Sequence, residues 1–477
     1  MKTKFIIPIN LFIILLLSSI EGSAQTYFQK VYQSSPYNQE GQDVVNMADG
    51  GYLIAGYTTN SIINDANVYV IKTDALGNKL WSKTYGGAKP DFPYHMLPTN
   101  DGNYFLIGYS QSYSGGDMDI LLLKIDPAGN QLWLKTYGGT GNDEGRDIIA
   151  TADGNYMIVG STNSGMTSKN ANLIKIDPSG TVIWNKTYGG NNDDFGNSIK
   201  LCNDGGFIML GQTFSYGVGN GDAYLVRTNI NGDTLWTKTF GGLLSDEGVY
   251  VTANTDNTFT FVIRDSSNVG RDIDIRIVKT DASGILIWSK TYGGYKKDTP
   301  KMIQPTSDGG YVVAGHSRSF GWITPDMWIL KLNNVGDTSW TRHYGGANHE
   351  HCYVAREQTD GSYIAVGKTE SYGPDMDPIF LKLNPGGNLV TGIKESLISA
   401  IDINVYPNPT DGNLTINLTD NKATKITVTD VLGIEIFTKE LSNENQITIE
   451  LIDKKPGVYF LKSTTKNQSI TKKFIIN

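Results

Sequence analysis

The stretch Trp81-Ser-Lys-Thr-Tyr-Gly-Gly87 decides how this chain is read. It returns as WLKTYGG at 133–139, WNKTYGG at 184–190, WTKTFGG at 236–242, WSKTYGG at 288–294 and WTRHYGG at 340–346. Successive tryptophans stand 52, 51, 52, 52 and 52 residues apart. A fixed period of this length marks one supersecondary unit copied along the chain, and it outranks any local assignment.

Residues 143–188 show what the unit contains. Asp143 to Asp153 turns from polar to apolar at Ile148 and Ile149 and reads as strand a. Asp153-Gly154-Asn155 supplies the positive φ of a tight hairpin. Tyr156 to Gly160 is an apolar run, strand b, and the small polar residues 161–170 are a loop. Asn172 to Ile176 is strand c, Asp177-Pro-Ser-Gly180 a second turn, and Val182 to Tyr188 strand d. Such a unit cannot bury both faces alone, so units of this kind stack into closed rings. Units begin near Glu40, Asp91, Asp143, Asp194, Asp246, Asp298 and Glu350, which makes seven.

Asp119, Lys124, Asp126, Gly129 and Trp133 follow a pattern that resembles the bacterial β-propeller repeat family. The resemblance covers about Tyr27 to Pro385 and implies a seven-bladed β-propeller, with little to say about activity. Six units carry a strand d with the Trp motif, and the seventh carries none before Thr391. Phe28, Lys30 and Tyr32 repeat the spacing of Trp, Lys and Tyr. Residues 28–32 are therefore expected to complete the last blade, paired antiparallel with Ile379 to Leu383, so that no seam stays open.

Composition narrows the rest. A net charge of −8 argues against a nucleic-acid partner. Two cysteines, Cys202 and Cys352, make no disulfide framework and would fall on opposite sides of the ring. Lys2 and Lys4, an apolar run from Phe5 to Ile20 and Gly22-Ser23-Ala24 read as a signal peptide over 1–24. No membrane span is expected once it is removed.

The a–b and c–d turns are tight and nearly constant, with Asp256-Asn257-Thr258 in the blade from Asp246 as a departure, whereas the d–a and b–c connections are longer and vary. Variable loops on a rigid scaffold are where binding is expected. Two features fall there. Asp91, Asp143, Asp194, Asp246, Asp298 and Glu350 follow the Gly-Gly pairs, and converging carboxylates are what Ca²⁺ takes, so calcium is the one candidate cofactor. The competing reading is that each acid caps its own loop. Tyr113, Phe214, Tyr216, Phe320, Trp322 and Tyr372 lie in b–c loops and suit a glycan or protein ligand if their rings face outward. The column Asn67, Asp119, Asn170, Asp222, Asp274, Asp326 and Asp377 reads as strand initiation, the Trp column as packing between blades, and the Lys column as a solvated face. His349 and His351 share a strand face and are weighed as a zinc pair, with no support elsewhere in the repeat.

After a linker, 392–401, residues 402–477 carry about seven strands of a small Ig-like β-sandwich. Tyr406-Pro407-Asn408-Pro409, Leu432-Gly433 and Lys455-Pro-Gly457-Val-Tyr459 resemble the type A C-terminal sorting domain of the type IX secretion system. That resemblance implies the type IX machinery as partner, a Bacteroidetes source and a secreted or surface-displayed protein. No catalytic constellation stands apart from the repeat. A binding or adhesion module is therefore the leading expectation, against a polysaccharide-active enzyme at the channel mouth or a structural matrix protein.

Overall fold

The computed structural model describes residues 27–33, 37–60, 65–115, 117–267, 272–320, 324–389, 403–418, 425–431, 433–442, 444, 446–464 and 469–477. The signal segment 1–24, the linker 392–401, Trp322 and Leu432 lie outside them. The chain divides into two units, Met1–Thr391 and Gly392–Asn477.

In the first unit all described strands fall into seven four-stranded antiparallel sheets. The third blade is typical, with strands Asp143–Ala150, Tyr156–Thr162, Asn170–Ile176 and Val182–Tyr188 in that order. Strands b and c read as continuous apolar runs because neighbouring blades cover both of their faces; Tyr156–Thr162 is buried throughout. Strand d, at the rim, alternates between exposed and covered side chains. The seven a strands neighbour one another in ring order, and the last also neighbours the first.

The seventh sheet takes its outer strand from the other end of the propeller. Phe28–Val31 pairs antiparallel with Asp377–Leu383, from Phe28 opposite Lys382 to Val31 opposite Ile379. Phe28 meets Phe380 edge-on at 5.2 Å.

Neighbouring blades are latched by the recurring motif. Trp81 lies over Gly129 in the c–d turn of the next blade, where a Cβ would come within 2.5 Å of the indole. Gly129 also has φ +74°, so this position needs glycine on two counts. Tyr85 donates its hydroxyl to the Gly129 carbonyl at 2.7 Å, and Lys83 donates to the Ala128 carbonyl at 2.8 Å. The latch repeats with Tyr137 on Gly180, Tyr188 on Gly232, Tyr292 on Gly336 and Tyr344 on Gly387. At the seam Tyr32 bonds Gly77 at 2.9 Å and Lys30 bonds Asn78 at 3.0 Å. The lysine column is thus more than a solvated face: Lys83, Lys186, Lys290 and Arg342 all reach the next blade's turn. Their aliphatic stems are long enough to cross the gap while the charge stays partly in water. The tryptophans are half-buried between blades.

One latch lacks its hydroxyl. Phe240 stands where the other blades carry tyrosine, so the Gly284 turn has no phenol to bond. Phe240→Tyr is expected to stabilise the propeller by about 1 kcal/mol, the net worth of one such hydrogen bond, read as a higher denaturation midpoint. An unchanged or lower midpoint would show that the phenol adds nothing to the latch.

The second unit is a two-sheet sandwich. Ile403–Tyr406, Asn413–Leu418 and Gln446–Glu450 form one sheet, and Glu435–Glu440, Lys425–Thr429, Gly457–Thr464 and Ser469–Ile476 the other. Leu414, Ile416, Ile426, Val428, Leu461 and Phe474 fill the space between them.

Candidate functional site: the channel cavity

Every innermost strand carries a β-bulge at the same place, between Gly41 and Asp43, Pro93 and His95, Gly145 and Asp147, Gly196 and Ser198, Gly248 and Tyr250, Pro300 and Met302, and Cys352 and Val354. A bulge inserts one unpaired residue and re-aims its side chain. The residue before it is glycine in four blades; at Gly145 a Cβ would come within 2.8 Å of Ile120. Proline fills that place twice, as a bulge permits. The inserted residues are Gln42, Tyr94, Arg146, Asn197, Val249, Lys301 and Tyr353. All seven line one cavity of about 440 Å³ on the ring axis. They sit about midway along the a strands, as Arg146 does in Asp143–Ala150.

Below them runs a belt of charge that crosses blade after blade. Arg356 pairs with Asp43 at 2.8 Å. His95 lies between two carboxylates, with Nε2 3.4 Å from Asp43 and Nδ1 2.9 Å from Asp147, the latter close but off the hydrogen-bond line. Lys200 pairs with Asp147 at 2.9 Å and stands over the Tyr250 ring at 4.3 Å. Both aspartates are buried and also accept backbone N–H groups of the next blade, Met96 for Asp43 at 2.8 Å and Ile199 for Asp147 at 3.1 Å. Burial acts to raise the Asp147 carboxyl, but Lys200 and His95 outweigh it and hold the group far below the usual carboxylate range.

The charges above the belt are paired too, with one exception. Glu144 accepts from the Tyr94 hydroxyl at 2.6 Å and from Arg146 at 2.9 Å, whose guanidinium lies 4.2 Å from the Tyr94 ring centre. Glu40 accepts from the Tyr353 hydroxyl at 2.6 Å and meets Lys368 at 3.4 Å. Glu247 meets Arg264 at 3.5 Å and Asn197 at 3.4 Å. Lys301 has no ion pair among the described residues; its ammonium sits 5.3 Å from the Tyr353 ring. Burial pulls that ammonium below its usual range, against the opposing influence of Glu247 and Glu40. On the first two blades Tyr57, Phe92, Tyr109 and Tyr94 form an aromatic wall with successive ring centres 4.6, 5.1 and 6.0 Å apart.

The acids singled out in the sequence are elsewhere. Asp91, Asp143, Asp194, Asp246, Asp298 and Glu350 are buried, and each accepts the N–H of the second glycine in its own d–a loop, as Asp194 does from Gly190 at 2.8 Å. Ser112, Ser164, Ser215, Ser267 and Ser319 donate to the five aspartates at 2.6–2.7 Å, and Thr369 to Glu350. They face their loops one by one, and no cluster of three metal-ligating side chains forms among the described residues. The second column stands beside them: Asp119 and Asp143 flank Gly138 so closely that any Cβ there would strike both. Burial, helped by Asp143, raises the Asp119 carboxyl.

Nor do the loop aromatics form one patch. Tyr113, Tyr216 and Tyr372 each tie their hydroxyl to the first carbonyl of a different d–a loop, Gly86 at 2.8, Gly189 at 2.8 and Gly345 at 3.1 Å. Phe320 packs on Trp328 and His343, and Phe214 on Phe195, with every ring left half exposed. His351 stacks on His316 at 3.8 Å, and burial pushes it down to about 3. His349 takes no part in that stack. Cys202 and Cys352 are free and buried.

In the second unit Tyr406 accepts from Asn417 and Gln446 at 3.1 Å each, and Asn408 accepts the Ile475 N–H at 3.0 Å. Pro407 and Pro409 flank that contact. Gly457 opens the strand that brings Tyr459 onto Phe474, and the Tyr459 hydroxyl bonds Lys455 at 2.7 Å.

Comparison with known proteins bears on both units. The chain is 26% identical over 208 residues to the regulatory protein FlaEY of Caulobacter vibrioides, covering 36% of this chain and 22% of that protein. It is 29% identical over 140 residues to an endo-acting ulvan lyase of Formosa agariphila, covering 28% and 26%. The chain thus spans about a quarter of the length of these relatives. Among solved structures it is similar to the β-propeller domain of the Trilobed protease from Pyrococcus furiosus, with a TM-score of 0.42 and 8% identity over 77% of this chain and all of that one. It is also similar to the extracellular domain of a hybrid two component system from B. thetaiotaomicron, with a TM-score of 0.43 and 12% identity over 92% and 56%. Residues 404–477 match the family described as the secretion system C-terminal sorting domain. The protein is a β-propeller carrying a type IX sorting domain, exported to the cell surface or the extracellular space.

Proposed function

We propose that the exported propeller is a binding module, without catalysis of its own, and that it holds a saccharide segment in the channel cavity. The observation that carries this reading is the column of seven inserted side chains, one from each blade, around a single cavity. Its volume is within the range of roughly 300–1,000 Å³ usual for ligand sites. An aromatic wall beside a polar one suits a sugar ring, which offers an apolar face and a rim of hydroxyls. The imidazole and two of the carboxylates at the cavity are already engaged: His95 lies between two aspartates, and Glu144 and Glu40 accept from tyrosine hydroxyls.

The likeness to an endo-acting ulvan lyase favours a second reading, in which the same cavity cleaves a polysaccharide. One experiment separates them. The exported protein is applied to a glycan array, and each bound glycan is then incubated with it and analysed for shortened chains. Binding with intact glycans supports the module. Chain shortening that Tyr94→Ala abolishes would replace it with the enzyme, and an empty array would remove the channel reading altogether.

A further inference from the structure

We infer that the saccharide is acidic and that Lys301 holds its anionic group, a carboxylate or a sulfate ester. This deepens the channel reading and rests on it. The cations around the cavity can be taken one at a time. Arg146 has Glu144, Arg356 has Asp43, and Lys200 has Asp147, all within 3 Å. Lys301 has only the face of Tyr353. Glu247 and Glu40 are near enough to influence its charge, yet both are engaged by other donors and neither comes within ion-pair distance.

A half-buried ammonium with no anion beside it is an open seat for one, and a charge-assisted hydrogen bond there is stronger than a neutral one. Lys301 is the residue the bulge inserts after Pro300, and its side chain lines the cavity. It belongs to the sixth blade, three steps round the ring from Phe92 and Tyr109 on the second. A sugar ring lying on Phe92 and Tyr109 would direct a charged substituent toward the opposite side, where Lys301 is the cation still without a partner. A neutral sugar leaves that ammonium as it is, so the site discriminates by charge.

Binding of three tetrasaccharides to the exported protein would be compared by titration calorimetry: a glucuronate oligomer, a sulfated galactose oligomer and a neutral glucose oligomer. At least one acidic oligomer is expected to bind about tenfold or more tighter than the neutral one, the scale of one charge-assisted hydrogen bond. The acidic arm that wins identifies carboxylate or sulfate. Lys301→Met should abolish the preference and Lys301→Arg should retain it. Inorganic sulfate should displace the acidic oligomer from the unaltered protein, a readout that needs no variant. Equal affinity for neutral and acidic oligomers would overturn the role of Lys301 and leave the channel reading in place. A preference that survives Lys301→Met overturns it as well. No binding by any of the three would overturn both.

Discussion

Deleting residues 27–33 should open the ring. Phe28 is buried between Phe380 and the Gly77 turn, and losing a buried phenylalanine alone typically costs about 3–5 kcal/mol. The Tyr32 hydroxyl bond adds about 1 kcal/mol. The pairing with Asp377–Leu383 goes at the same time and leaves that strand as a bare edge. Unpaired edges recruit other chains, so the deletion should produce both a large fall in denaturation midpoint and concentration-dependent association. Phe28→Ala should show the first effect without the second, because the backbone ladder remains. A deletion variant that stays monomeric with an unchanged midpoint would mean the seam is closed by something other than this strand.

Asp147→Ala should be the most damaging single substitution in the channel, at about 3–5 kcal/mol, because it strands Lys200 and the Ile199 N–H in the interior. The loss should depend on pH. The folded-state carboxyl lies below its unfolded value, so its contribution is present above the ordinary aspartate range near about pH 4 and is lost as pH falls toward the folded value. Denaturation at pH 7 and at pH 3 should therefore show a gap between the unaltered protein and the variant that narrows in acid. A gap of the same size at both values would mean that the damage is packing, not charge.

What could be read from the sequence was whatever depends on neighbours in the chain. The Trp motif, the Asp-Gly turns and the seven-fold count follow from local chemistry and a period. The closing strand was legible because Phe28, Lys30 and Tyr32 keep the spacing of Trp81, Lys83 and Tyr85, and the latch requires all three positions. The acid column was harder, since a row of carboxylates after Gly-Gly looks the same whether it lines a channel or caps a loop. Its partners are not written in the pattern: for Asp143 they are the Gly139 N–H of its own loop and the Ser164 hydroxyl of another. The cavity wall was missed for a different reason. Strand alternation sends successive side chains to opposite faces, but the bulge breaks the alternation, so Tyr94 and His95 both face the cavity, as do Arg146 and Asp147. A signal was present: the position after the Gly, Pro or Cys of strand a changes from blade to blade, reading Gln42, Tyr94, Arg146, Asn197, Val249, Lys301 and Tyr353.

The seam also sets an order of events. Phe28–Val31 is the first described strand to be synthesised, and its partner Asp377–Leu383 is the last of the propeller. No other pairing in the ring spans so much chain, and closing so long a loop is slow compared with the local hairpins that build each blade. Six blades can therefore form while the first strand still waits. A chain broken off before residue 377 would present that strand with nothing to pair with, however well its finished blades had folded. The seam acts as a completeness check, passed only by a chain that has been made at least through Leu383.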